Sequence, residues 1–125
     1  MPGIDDLKRI SAVEFADIVK IARILDYKLR ITLIDNSFID VNLSKRLAGK
    51  FGFHWECMAP GGSFYRYDNF PDQNWKSVST FPYHFHNGSQ ECVEASPFPL
   101  DIIDGFRGFL NFVRGKLRET NGPGQ

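Results

Sequence analysis

The sequence predicts an α+β fold: an antiparallel meander of five or six strands, a C-terminal helix packed on one face, and a short N-terminal helix. Three observations carry this. Residues 29–42 alternate apolar and polar side chains on both sides of the turn tripeptide Asp35-Asn36-Ser37. Two extended segments flank Asn87-Gly88 in "YHFHNGSQECVE". Residues 100–119 repeat apolar side chains at helical spacing.

The elements follow in order. Residues 4–12, "IDDLKRISA", suit a short helix, with Asp5 and Asp6 in the first turn, where carboxylates favour the helix dipole. The segment Phe15 to Leu25 fits both a helical face and a broken alternation; its β-branched content favours a strand from about Asp17. Leu29, Ile31 and Leu33 define one strand, and Phe38 to Asn42 the next. "SKRLAGK" (44–50) is a basic connection containing glycine. "KFGFHWECM" sets Phe51, Phe53, Trp55 and Cys57 on one face and Gly52, His54 and Glu56 on the other. "APGG" (59–62) turns the chain into the return strand "SFYRYDNF". Residues 71–80 have no period and read as a loop. Asn87-Gly88 supplies a type I′ turn pairing 83–86 with 89–94. In the last helix Ile103, Phe106, Leu110, Val113 and Leu117 form one stripe, with Asp101 and Asp104 early and Arg114, Lys116 and Arg118 late. Gly105, Gly108 and Gly115 each cost about 1 kcal/mol of helix propensity relative to Ala, which tertiary packing must offset.

The chain has 125 residues, so one domain spanning 1–119 with a flexible tail at 120–125 accounts for it. Fifteen basic residues balance fifteen acidic ones, which argues against a broad polyanion-binding surface and leaves room for a local basic patch. No apolar run is long enough to span a bilayer, and the N-terminus lacks the layout of a signal peptide, so a cytoplasmic location is expected. Cys57 and Cys92 form no metal-like set and read as reduced thiols.

Two of the three histidines, His84 and His86, stand two residues apart and project from the same face of a strand. Such a pair can bind a metal, act as acid and base near neutral pH, or serve only as polar surface. His84-x-His86 with Glu91 imitates the first metal motif of a cupin, but no later histidine completes it. A metal set drawn from His54, His84, His86 and a carboxylate stays open. Acid–base cleavage of RNA needs a base for the 2′-hydroxyl, an acid for the leaving oxygen and a cation for the phosphate. His84 and His86 fit the first two roles and Arg66 the third. Asp68 would orient a histidine or pair with Arg66, and Asn69 would donate to a phosphate or cap a turn. Residues 51–85 hold eleven of the eighteen aromatics, suited to a sheet core and to base stacking. Tyr67, Trp75, Lys76 and His54 are the candidate substrate contacts. His54 faces Tyr67 if the loop before the return strand has four residues, and Arg66 if it has five.

The blocks "RITLIDNSFIDV" (30–41), "FHWE" (53–56), "YRYDNFP" (65–71), "TFPYHFHNGSQE" (80–91), "VEASPF" (93–98) and "FRGFLNFVR" (106–114) resemble the TumE family of small prokaryotic toxins, over about residues 15–114. The resemblance implies a toxin–antitoxin module, with a toxin neutralised by an antitoxin that often carries a helix-turn-helix domain. One departure is Asp72, where relatives commonly have histidine after Asp-Asn-x-Pro. The combined expectation is a cytoplasmic toxin that cleaves RNA without metal or cofactor. It would bind an antitoxin, and a homo-oligomer stays open. The alternatives are a non-catalytic module that binds an antitoxin or regulator, and a His-based metal site.

Overall fold

A computed structural model describes residues 3–57 and 63–120. The chain runs α1 (Ile4–Glu14), β1 (Val19–Leu25), β2 (Lys28–Leu33), β3 (Phe38–Leu43), β4 (Phe51–Glu56) and β5 (Phe64–Asp68). A 3₁₀ turn (Gln73–Trp75), β6 (His84–Gly88), β7 (Val93–Glu94) and α2 (Ile102–Thr120) complete it. The strands form one antiparallel sheet in sequence order. The meander therefore has seven strands, not five or six. The ambiguous segment is strand β1 over Val19–Leu25, and the expected strand at 89–94 shortens to the two-residue β7.

Local chemistry sets the element ends. Asp6 accepts the N–H of Gly3 at 2.8 Å and so caps α1. Asp26 and Asn36 adopt positive φ at the two hairpin turns β1–β2 and β2–β3. The Asn87-Gly88 expectation is corrected. Asn87 stays in β6 opposite Tyr65, and β7 pairs Phe85 with Glu94 and His86 with Val93. Asn87 and Gly88 still pair with Tyr65 and Phe64 of β5, and Gly88 takes a positive φ of 94° where the chain leaves the sheet, so the connection to β7 is a longer loop over residues 89–92. The "APGG" turn lies outside the described residues, as does 121–125 of the expected tail. Cys57 and Cys92 are free.

Period-two alternation sorts the sheet into two faces. Leu29, Ile31, Leu33, Ile39, Val41, Phe53, Tyr67 and Phe85 point to one face and are fully buried or nearly so. Both helices cover that face. Phe53 meets Phe106 and Phe109 of α2 at 5.2 and 5.8 Å between ring centroids, and Leu7 and Ile10 of α1 join the same core. Each such side chain contributes about 1.5–3 kcal/mol by leaving water. Arg107 bridges to Glu14 and Arg114 to Asp17, tying α2 to the N-terminal segment. Two of the helix glycines are explained by packing. A Cβ on Gly105 would lie 2.7 Å from the carbonyl oxygen of Pro99, and one on Gly108 would lie 3.1 Å from Phe98. Gly115 faces open space.

Candidate functional site

The opposite face of the sheet carries the polar side chains. Register places Arg66 opposite His86 and Asp68 opposite His84, so all four project to the same side of β5 and β6. They line a hollow of about 240 Å³ together with Phe70, Asp72 and Gln90. Its floor is buried: His84 is 2 %, His86 3 % and Asp68 4 % exposed.

Backbone carbonyls fix both imidazoles. Nδ1 of His84 lies 3.0 Å from the Pro82 carbonyl, and Nδ1 of His86 lies 3.0 Å from the Gln90 carbonyl. A carbonyl only accepts, so each Nδ1 carries the proton and each Nε2 is left for other partners. Nε2 of His84 lies 3.3 Å from Oδ1 of Asp68. Both ring nitrogens of His84 thus have an oxygen beside them, the Pro82 carbonyl at Nδ1 and the Asp68 carboxylate at Nε2. Burial lowers the pKa of His86 below its ordinary value, outweighing the bond to the Gln90 carbonyl, and the neighbouring His84 and Arg66 push the same way. The lowered pKa favours the neutral imidazole of His86, in which Nε2 is the acceptor. The two rings stand 5.0 Å apart and nearly perpendicular.

Asp68 is the hub. Its Oδ2 accepts Nε–H of Arg66 at 2.9 Å, and its Oδ1 accepts the N–H of Phe70 at 3.1 Å. The Arg66 guanidinium lies over Gly52 of β4, where a Cβ would sit 2.8 Å from Nη2. Glycine at 52 is what lets that side chain lie flat on the sheet.

Asp68, His84 and His86 bring ligand atoms within 4.8 Å of one another and could hold a metal with three protein ligands. The Arg66 guanidinium is bonded to this carboxylate and stands opposite His86, so its positive charge opposes a cation there. The set expected from His54 does not form. His54 is opposite Arg66 in register, but its Nε2 turns to Glu56 at 3.1 Å and its ring stacks on Phe64 at 5.0 Å. Glu91 is exposed and does not line the hollow.

The other candidates separate. Trp75 roofs the pair, 5.8 Å from the His86 ring and 6.5 Å from that of His84. Its buried indole N–H has no hydrogen-bond partner among the described residues. Lys76 is exposed on the turn that follows. Tyr67 is on the wrong face for substrate: it is fully buried against the helices, and its hydroxyl accepts from Ser96. Asn69 is also withdrawn. Its amide oxygen accepts the Phe51 N–H and its NH₂ donates to the Gly49 carbonyl, so it pins the β3–β4 loop. Asp72 lines the hollow and caps the 3₁₀ turn by accepting the N–H of Asn74. Sequence reasoning missed Gly52, Gln90 and the two orienting carbonyls. A glycine inside a strand was the one available signal, since it marks close approach of another group.

A seven-stranded sheet covered by helices on one side, with a buried His–His–Asp–Arg cluster on the other, defines a small α+β protein with a polar site on its sheet face. The family model described as Toxin TumE matches residues 4–117, and the chain belongs to that toxin family. No curated protein and no solved structure matches it. Among the described residues, no helix is long and apolar enough to cross a membrane.

Proposed function

We propose that this toxin acts in the cytoplasm by cleaving RNA with metal-independent acid–base chemistry at the His84–His86 hollow. The observation that carries the reading is the placement of the two imidazoles, both held at Nδ1 by a backbone carbonyl, with Nε2 of His84 beside the Asp68 carboxylate and His86 shifted towards its neutral form by burial. Nε2 of His86 takes the proton of a 2′-hydroxyl. The freed oxygen attacks the adjacent phosphorus, and the bond to the 5′-oxygen breaks. Nε2–H of His84 gives its proton to that leaving oxygen. Products are a 2′,3′-cyclic phosphate and a 5′-hydroxyl. Arg66, beside both histidines, stabilises the added charge on the phosphorus centre. Asp68 is a positioning residue for His84 and Arg66. Trp75 and Lys76 lie at the edge where a nucleotide would enter.

Membership in a toxin family supports an antitoxin partner. The near-complete burial of both histidines favours one competing reading, in which they hold the loops of an antitoxin-binding module without chemistry. Purified protein incubated with single-stranded RNA and chelator between pH 5 and 8 separates the two. Cleavage that disappears in His84→Ala and His86→Ala supports the ribonuclease. Equal inertness of folded wild type and variants supports the module.

A further inference from the structure

The catalytic hollow is one end of a row that crosses the sheet. Register sets Arg23 opposite Arg30, Arg30 opposite Asp40, Asp40 opposite His54, His54 opposite Arg66, and Arg66 opposite His86. Directly opposed residues share a face, so these six line up across the side that the helices leave open. Five strand spacings make the row about 24 Å long.

Charge along the row is not even. Within the row Asp40 is the one carboxylate, neutralised by Arg30 at 2.8 Å and by Lys28 at 3.1 Å, while Glu56 pairs with His54 and Asp68 with Arg66 on the same face, so the unpaired cations lie towards Arg23. Burial pushes the Asp40 pKa up, but the bonds from those two cations outweigh it and hold the carboxyl below its ordinary range. Arg23 is exposed, and no ion pair is seen for it among the described residues. At the far end the β1–β2 turn and the basic β3–β4 loop meet, with Nζ of Lys45 5.7 Å from the ring centroid of the exposed Tyr27. Arg46 beside it is also exposed. A chain of zero net charge thus gathers three exposed cations, Arg23, Lys45 and Arg46, and an exposed ring against one exposed carboxylate, Asp26, at the edge of the sheet farthest from His86.

We infer that this open face is a docking track for single-stranded RNA, running from the hollow across His54 and Arg30 to Arg23 and on to the sheet edge at Tyr27, Lys45 and Arg46. The inference rests on the ribonuclease reading and adds to it the substrate class and the path. Fixed cations in line with an aromatic platform suit a phosphate backbone whose bases can stack. The track makes long single strands better substrates than short ones.

The test is binding of a labelled 12-nucleotide single-stranded RNA to non-cleaving His86→Ala protein, alone and with Arg23→Ala, Lys45→Ala and Arg46→Ala added. All three added sites are exposed, and circular dichroism checks that the fold is kept. Affinity should fall at least tenfold, and the slope of log K against log salt should flatten by about 2 for three lost phosphate contacts. When the same three substitutions are made in protein that keeps His86, kcat/KM for the 12-nucleotide RNA should fall at least tenfold more than for a dinucleotide. Unchanged affinity and slope overturn the track. So does an equal loss for a polyglutamate peptide, which would make the patch a site for acidic protein. Because binding is read without turnover, failure to cleave does not count against the track, and failure to bind does not count against the chemistry.

Discussion

Nε2 of His84 lies 3.3 Å from Oδ1 of Asp68, while Nδ1 of the same ring meets the Pro82 carbonyl at 3.0 Å. The carboxylate and the carbonyl together set the orientation of the ring. Asp68→Asn keeps the shape and removes the charge. It should lower RNA cleavage about 10²-fold or more, the scale of one acid–base contribution. Asn at 68 can still accept from Phe70, so a matching far-ultraviolet circular dichroism spectrum should show an intact fold. Retained activity would remove Asp68 from the site.

His86 gives the pH dependence its sign. Its folded pKa is lowered, chiefly by burial, so the unfolded state binds the proton first as pH falls. Its contribution to stability is present above about pH 6.5 and is lost as pH drops towards the folded value. Urea unfolding at pH 7.5 and 5.5 should show this loss, and His86→Gln should reduce it. Activity should rise with pH below neutrality, as the base loses its proton.

Gly52→Ala tests the seat of Arg66. The new Cβ would stand 2.8 Å from Nη2 of Arg66, at the movable end of that side chain, so the guanidinium shifts while the strand stays. Cleavage should fall about tenfold or more, since electrostatic contacts to the phosphate are sensitive to placement. Stability should change by less than about 1 kcal/mol in urea titrations.

The helix glycines make an internal control. Gly115→Ala meets nothing and should stabilise by about 0.5–1 kcal/mol. Gly105→Ala meets a backbone oxygen at 2.7 Å and should destabilise despite the same propensity gain. Thermal melts of the two variants should move in opposite directions.

Asp72 stands on the wall of the hollow as an added carboxylate, on the side where the proposed ribonuclease would receive its phosphate. Asp72→His should raise cleavage severalfold by exchanging a like charge for a proton-carrying group. A fall instead would show that its cap on Asn74, which holds the Trp75 turn, matters more.

Much of this was legible in the sequence for one reason: period two does not depend on partners. His84 with His86, and Arg66 with Asp68, share a face wherever their strands lie. The stripe of α2 was legible for the same reason at period 3.6. What required three dimensions was register. The pairing of His54 with Arg66 hung on a single residue of the β4–β5 connection. The Asn87-Gly88 turn failed because pairing between β5 and β6 outweighs the local preference of those two residues. Asn69 and Tyr67 looked like site residues by proximity in sequence. One is consumed by a loop, and the other points into the core. The carbonyls of Pro82 and Gln90 carry no side-chain signal at all.

The most direct measurement is the chemistry of the cut ends. Purified wild-type protein, with chelator present, should leave 2′,3′-cyclic phosphate and 5′-hydroxyl termini on RNA by mass spectrometry, and His86→Ala should leave none. Termini carrying a 5′-phosphate, or cleavage that survives in His86→Ala, would contradict an attack by the 2′-oxygen under the control of these two imidazoles.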